Sequence, residues 1–583
     1  MTLEVNPHVL RLRGFQPFQT GSAELVYEHT KPGDRHFEPV TLGFLEMLIE
    51  DGDVRLVVLT GDAGHGKTTL CARVLERLGL DSVEAHRAIR QRGHGVEEVA
   101  RTHSGRSLRL LSDLSESPRE SAAPLLARLV DTPPDAVTII CANEGHLRNC
   151  VSADVTGRSQ VIIETLVDGI EFGTVANQQS GVCVINLNFQ STAPDQGDGL
   201  VDWAIREWAA DGRRWRPCQR CEARHVCPIY ANHQSLSDSE RGTMRRGGIR
   251  SLFSTAERMG SVITTRQALA AISYAVTGGL TCQDVHRKYT RGQGNVWQYP
   301  HLYHQAIFAD LLSASNRGQV PAFSSLRQLD PGSVSLREFD DQLEPDDVPI
   351  TFLPPKLNDD QSVRSRREAL RQSDLMKSHI GFLRRFEFFE SGTDHARRMG
   401  LLSGTEFVEI ATGSAPRVEV RDTLLRGLEA VQGVRRPGES PDFLVLDPAF
   451  FSHRNRAAVI SARVQGINVN VKSHVQHWAE SCTEQPIMPI AVEWSSRTVY
   501  LKISGSSGNV TIPLNLMLFE LLRRWAGGLT TRGQYEGEIR SLTRLLATLA
   551  PPESGTDEIE VLVNGERRSL TIDVGDRIRS GGL

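Results

Sequence analysis

The chain has 583 residues, 39% hydrophobic and 23% charged, with a formal net charge of −5. That length allows roughly three or four domains, each large enough for its own core. The composition is that of an ordinary soluble protein, and the near-neutral charge excludes a uniformly basic surface while allowing a local basic groove. No apolar run approaches the ~18 residues of a membrane-spanning helix, and the opening MTLEVNPHVLRLRG lacks a secretory apolar core. Nine cysteines, an odd number, point to a reducing cytoplasmic setting rather than a disulfide framework. We read no repeat at a fixed period and no long low-complexity tract.

Val54 to Thr60 is an apolar, β-branched run that predicts a buried strand. It leads directly into Gly61-Asp62-Ala63-Gly64-His65-Gly66-Lys67-Thr68-Thr69, which carries the pattern G-x-x-x-x-G-K-T where a helix can begin. Gly61, Gly64 and Gly66 let the backbone fold tightly with its N–H groups turned toward phosphate oxygens, and the following helix adds its positive end. Lys67 is expected to reach the β- and γ-phosphates of ATP, and the Thr68 hydroxyl to bind Mg²⁺.

Such a loop implies a mostly parallel sheet, with further strands expected near 82–86, 107–113, 136–142 and 182–189. Asp113 ends the third of these five strands and is the candidate second Mg²⁺ ligand; a helix N-cap is the alternative. The residue after it is Leu114 rather than a second acid, so Glu116 or Glu144 is left as the base that polarises water. Asn143, after the strand 136–142, is placed to hold the attacking water as an AAA+-type sensor does, or simply to form an Asn-Glu-Gly turn. Ile263 to Gly279 predicts an amphipathic helix capped by Thr264 or Thr265. Arg266 in its first turn opposes the helix dipole and is the candidate lid arginine for the γ-phosphate, against a plain surface arginine. Arg148 or Arg158 could act in trans as an arginine finger if the chain forms a homo-oligomer.

Cys218-x₂-Cys221-x₅-Cys227-Pro228 lies in a polar, arginine-rich stretch where lone cysteines are uncommon. Three thiols at that spacing can converge on one metal, with Arg214, Arg216, Arg220 and Arg224 favouring the thiolates. A closed zinc site needs a fourth ligand, for which His225, His233, Cys282 and Cys183 are candidates; an iron–sulfur cluster is the alternative. Arg241 to Arg250 is basic and glycine-rich. Arg364, Arg366, Arg367, Arg371, Lys377, Arg384 and Arg385 recur along predicted helices with Phe382, Phe386, Phe388 and Phe389 between them. These could track the backbone of double-stranded DNA, or form a solvated helix face. Loops at 328–333 and 343–349 mark a domain change. Residues 362–436 read as helical, 442–471 and 492–512 as strands, and 513–525 as a helix. A hairpin is predicted at 559–563 and 568–572 around Asn564-Gly565.

Gly61 to Thr68, Asp113-Leu114-Ser115, Asn143-Glu144-Gly145-His146-Leu147-Arg148, the Cys218/Cys221/Cys227 cluster and Thr265-Arg266 to Gly279 resemble, in that order, one family. It is the bacterial DNA-phosphorothioation-dependent restriction ATPase, the DptF/DndF type, over residues 40–350. The resemblance implies an ATPase subunit of a multi-protein anti-phage restriction system, with nuclease or translocase activity in partner chains. A STAND-like nucleotide switch with little turnover and a metal-stapled DNA-binding regulator are the other readings. The expected fold is α/β: an AAA+-like P-loop sheet with a helical lid, a cysteine-rich metal insertion and a C-terminal α+β region. The expected segments are 1–50, a core at 51–195, a lid with its insertion at 196–340, a helical linker at 341–440 and the C-terminal region at 441–583.

Overall fold

The computed structural model describes residues 3–18, 36–90, 96–173, 176–177, 180–293, 297–341, 366–416, 418–432, 443–446, 457–460, 462–465, 468–481, 487–505, 508–528, 535–549, 558–563, 566–573 and 577–582. The chain forms two compact units. One comprises Met1–Glu257, Ser261–Gly400 and Glu484–Trp494, the other Arg258–Gly260, Leu401–Thr483 and Ser495–Leu583. The division after Gly400 falls inside the 341–440 stretch that the sequence presents as one helical segment.

In the first unit, α1 (Pro7–Arg13) and α2 (Val40–Glu50) precede β1 (Leu56–Thr60), and α3 (Lys67–Arg77) and α4 (Ser82–Arg90) follow it. The sheet continues through β2 (Glu97–Arg101), β3 (Ser107–Leu111), β4 (Ala136–Cys141), β5 (Ala176–Asn177) and β6 (Val182–Asn186), with α5 (Arg119–Leu129), α6 (Glu144–Ser152) and α7 (Gln160–Phe172) between them. The spatial order is β2-β3-β4-β1-β6-β5. The central four, β3, β4, β1 and β6, run parallel, and β2 and β5 are antiparallel edges. This is an α/β fold with a mostly parallel sheet.

Every residue of β1, β4 and β6 is buried, as a parallel sheet covered on both faces requires. On one face Leu56, Val58, Ile140, Val182 and Val184 pack against Leu126 of α5, Leu147 of α6 and Ile162 and Leu166 of α7. Val57 and Leu59 alternate to the other face and are equally buried.

The strand expected at 82–86 is instead the first turns of α4. Asp81 and Glu84 form a reciprocal capping box: the Asp81 carboxylate accepts from Glu84 N at 2.8 Å, and Glu84 accepts from Asp81 N at 3.1 Å. Ala85 and Ile89, four apart, are the buried stripe. The strand that does flank β3 is β2, whose polar sequence Glu-Glu-Val-Ala-Arg is half exposed on the edge. The remaining expected strands are observed with shorter ends.

Arg106, just before β3, is 8% exposed. Its guanidinium donates to the carbonyls of Ile49 and Pro134 at 3.2 Å and Ala136 at 3.0 Å, and also to Asp51 and Val54. It thereby ties together the amino ends of β1, β3 and β4.

After β6 the first unit becomes helical: α8 (Leu200–Ile205), α9 (Arg216–Arg220), α10 (Pro228–Ser237), α11 (Arg241–Arg258), α12 (Thr265–Thr277) and α13 (Cys282–Thr290). Residues Ala268 to Thr277 of α12 are buried all round, which marks it as the central helix of this half. It begins and ends where expected, capped by Thr264 and closed by Gly278 at φ +60°.

The basic runs read as DNA contacts are largely engaged within the protein. Arg245 pairs with Glu390 at 2.6 Å, and Arg246 donates to Leu236 O at 2.6 Å. Arg250 sits 3.5 Å from Asp202. Arg384 pairs with Asp340 at 2.7 Å, and Arg385 with Asp330 at 2.5 Å and Asp310 at 2.7 Å. Phe382, Phe388 and Phe389 are buried core. Arg364, and the side chains of Arg366, Arg367, Arg371 and Lys377, lie outside the described residues.

In the second unit, Val469–Ser473, Val499–Gly505 and Gly508–Leu514 form an antiparallel sheet. The helix read at 513–525 begins at Leu516, because Pro513 is still paired with Tyr500 and Asn515 supplies the cap. The predicted hairpin is present as Glu558–Val563 and Glu566–Asp573; its turn, Asn564-Gly565, lies outside the described residues.

Removing Arg106 takes a donor from five carbonyls at once, of which Asp51 O keeps a second donor in Val54 N at 3.2 Å. Arg106→Met is therefore expected to cost about 3–5 kcal/mol, read as a lower urea midpoint at unchanged slope; a loss under about 1 kcal/mol would contradict this role.

Candidate functional site

Parallel strands end together, so the carboxyl ends of β3, β4, β1 and β6 bring their loops to one edge of the sheet. The loop after β1 turns through Gly61, Gly64 and Gly66 at φ +128°, +103° and +85°, a region that side chains avoid. A Cβ on Gly64 would also lie 3.0 Å from Thr264 Oγ1 and 3.1 Å from Arg266 Cβ. Gly66 caps α3, so Lys67, Thr68 and Thr69 form the first turn of that helix. Asp62 and Ala63 are exposed and His65 is buried.

Lys67 Nζ donates to Gly61 O at 2.6 Å, Asp62 O at 3.0 Å and Asn143 Oδ1 at 3.2 Å. Burial lowers its pKa, with Cys141, Asp113 and Asp62 acting the other way. Asn143 stands at the start of α6, but its side chain makes no capping bond there; the amide oxygen faces Lys67 instead. The loop and the end of β4 therefore meet at one ammonium.

Asp113 accepts from Ser115 N at 2.8 Å as the cap of a short turn over Leu114–Glu116. Ser115 Oγ in turn lies 3.4 Å from Asn143 N. The carboxylate serves as the N-cap weighed from sequence, and it is also exposed at the same edge as Lys67. The side chain of Glu116 lies outside the described residues. Glu144 is tied on both sides, to Arg148 of its own helix at 2.8 Å and to Asn186 Nδ2 at 3.2 Å. Arg148, a candidate finger, is thus engaged in cis, and Arg158 pairs with Asp131 at 2.8 Å.

The start of α12 rests on the loop. Arg266 N donates to Gly64 O at 3.0 Å, and Thr265 Oγ1 lies 3.4 Å from His65 O. The Arg266 side chain is exposed beside it.

Sequence reasoning missed Asn186 and Asn188. Asn188 Oδ1 accepts from Asp62 N at 2.9 Å, and Asn186 Oδ1 from Asn188 N at 3.1 Å. Their signal was present: two amides interrupt the apolar run Val182 to Phe189, where β6 stops and a short turn begins. Cys71 on α3 and Cys141 on β4 also went unread; their sulfurs are 3.5 Å apart behind Lys67.

The cysteine cluster lies elsewhere in the same unit. Cys218, Cys221 and Cys282 are buried and Cys227 is half-buried. Among the described residues no disulfide is formed, and no three His, Cys, Asp or Glu side chains stand ready to hold a metal as they are placed. Of the fourth-ligand candidates the structure brings Cys282 to the group. Cys183 is within β6, His233 stacks on Trp215 at 4.8 Å, and His225 packs edge-on to Tyr289. Burial pushes the Cys218 thiol up to about 12 and raises Cys227 and Cys282 as well. The expected arginine support is differently arranged: Arg220 faces Glu4 at 3.5 Å, and Arg224 donates to Gln219 O at 2.5 Å.

Comparison of the chain with family models, with curated proteins and with solved structures finds no match. Among the described residues no helix is long and apolar enough to cross a membrane.

Burial, with Lys67 nearby, holds His65 down to about 4. His304 and His474 are held to about 3, chiefly by burial. Each lies below its unfolded value of 6.5, so their contribution is complete above pH 6.5 and is lost as the unfolded chain takes up protons below it. Urea stability is expected to fall from pH 7.5 to pH 5 by about 2 kcal/mol per such histidine. His65→Gln should shrink the fall by about that amount; an unchanged pH slope would contradict a buried neutral His65.

Proposed function

We propose that the first unit binds Mg·ATP at the glycine loop and hydrolyses it, as an AAA+-like P-loop ATPase. The observation that carries this reading is the Lys67 ammonium, held by two loop carbonyls and by Asn143 at the end of the neighbouring strand. A lysine so placed can exchange those oxygens for phosphate oxygens without leaving the loop. The N–H groups of the loop and the first turn of α3 supply the remaining anion contacts.

Thr68 and Asp113 would hold Mg²⁺, which would supply positive charge to offset the charge developing on the phosphates. Asn143 orients the attacking water. Glu144 accepts its proton once the ties to Arg148 and Asn186 loosen, and Arg266, carried on a helix bonded to Gly64, approaches the γ-phosphate.

The wider role rests on the order of motifs. By that resemblance the chain would be the ATP-hydrolysing subunit of a cytoplasmic, bacterial anti-phage restriction system of the DptF/DndF type, working with partner subunits and double-stranded DNA. A nucleotide switch with little turnover is the second reading, and the double tie on Glu144 favours it. Strong stimulation of turnover by double-stranded DNA supports the first; tight nucleotide retention with negligible turnover supports the second.

By calorimetry with Mg·ATP, Lys67→Ala is expected to lose binding by at least about tenfold, and a variant that binds and turns over like the parent would overturn the site. Asn143→Ala is expected to keep binding while turnover falls about 10²–10³-fold, the range for a group acting on the transition state.

A further inference from the structure

We propose that Cys218, Cys221, Cys227 and Cys282 form a four-thiolate structural zinc site, with Asn6 donating to two of its sulfurs. This goes beyond the nucleotide reading and stands apart from it, since none of these residues touches the glycine loop.

The first ground is convergence. Cys218 sits in α9, Cys221 and Cys227 flank the short turn Glu222–Val226, and Cys282 opens α13. Chain segments more than fifty residues apart therefore present thiols to one place. Asn6 touches the sulfurs of both Cys218 and Cys282, and α13 packs on the turn Glu222–Val226 that Cys221 and Cys227 flank. His286, one turn past Cys282 on the same helix face, sets its Nε2 3.4 Å from Cys221 Sγ.

The second ground is Asn6. Its backbone N–H reaches Cys282 Sγ at 3.4 Å, and its side-chain Nδ2 reaches Cys218 Sγ at 3.3 Å. Asn6 is 1% exposed; its Oδ1 accepts from His8 N at 2.9 Å and its Nδ2 also donates to Arg214 O at 3.0 Å, which together fix the amide beside the sulfur. A buried residue that aims two N–H donors at two sulfurs gives neutral thiols little, because sulfur is a weak acceptor. It gives metal-bound thiolates the outer contacts that orient them and spread their charge.

Zinc suits the donor set. Four sulfurs with a C-x₂-C spacing make a closed tetrahedral site, and such sites hold irregular segments in place. The stretch from Gly212 to Val226 is made of short helical turns with little core of its own. Each thiol can reorient about one χ1 torsion among three staggered wells.

The test is elemental analysis of protein purified without chelator or metal-affinity resin. The expected result is one zinc per chain, falling below one half in Cys282→Ser and kept in Cys183→Ala and Lys67→Ala. Full zinc in Cys282→Ser overturns the proposal, as does iron with acid-labile sulfide in place of zinc. Should Cys282→Ser fail to fold, the parent protein is titrated with an organomercurial while a chromogenic chelator reports released zinc. Release complete at about four thiols supports the site; no release overturns it.

Discussion

An ammonium surrounded by oxygens organises this molecule. Lys67 takes one oxygen from Gly61, one from Asp62 and one from Asn143. Those groups can meet only because β1 and β4 are parallel neighbours whose carboxyl ends share an edge. The parallel pairing in turn needs strands apolar on both faces, and β1, β4 and β6 supply them. At the opposite edge Arg106 holds the amino ends of the same strands by their carbonyls. The sheet is therefore fixed at one end by a buried arginine and presents a cation at the other.

The same edge recruits three further segments. The turn after β6 reaches Asp62 through Asn188, and α6 reaches Asn186 through Glu144. The start of α12 reaches Gly64 and His65. Gly64 is doubly constrained, since its positive φ and the close approach of Thr264 and Arg266 each disfavour a side chain. One backbone bond, from Arg266 N to Gly64 O, and the Thr265 hydroxyl hold the main chain of Arg266 beside the loop.

What was legible in the sequence follows from how local each signal is. The glycine loop, β1, β4 and α12 were readable because periodicity, glycine and caps act within a few residues. The segment 82–86 was misread because Val83 and Ala85 alternate like a strand, while the capping box from Asp81 to Glu84 went unnoticed; β2 was missed because an exposed edge strand needs no apolar run. The partners of the arginines could not be read at all. Arg384 and Arg385 look like a basic face until the fold sets Asp340, Asp330 and Asp310 beside them. Asn6 gives no hint in sequence of the thiols more than two hundred residues away that it meets in space.

Helix α12 has 13 residues, a rod of about 20 Å. Its first turn is bonded to Gly64, and two glycines past its end the chain enters the helix that carries Cys282. Buried along most of its length, the rod has little room to bend or slide without repacking its neighbours. One continuously packed helix thus spans the distance between the glycine loop and the helix of Cys282.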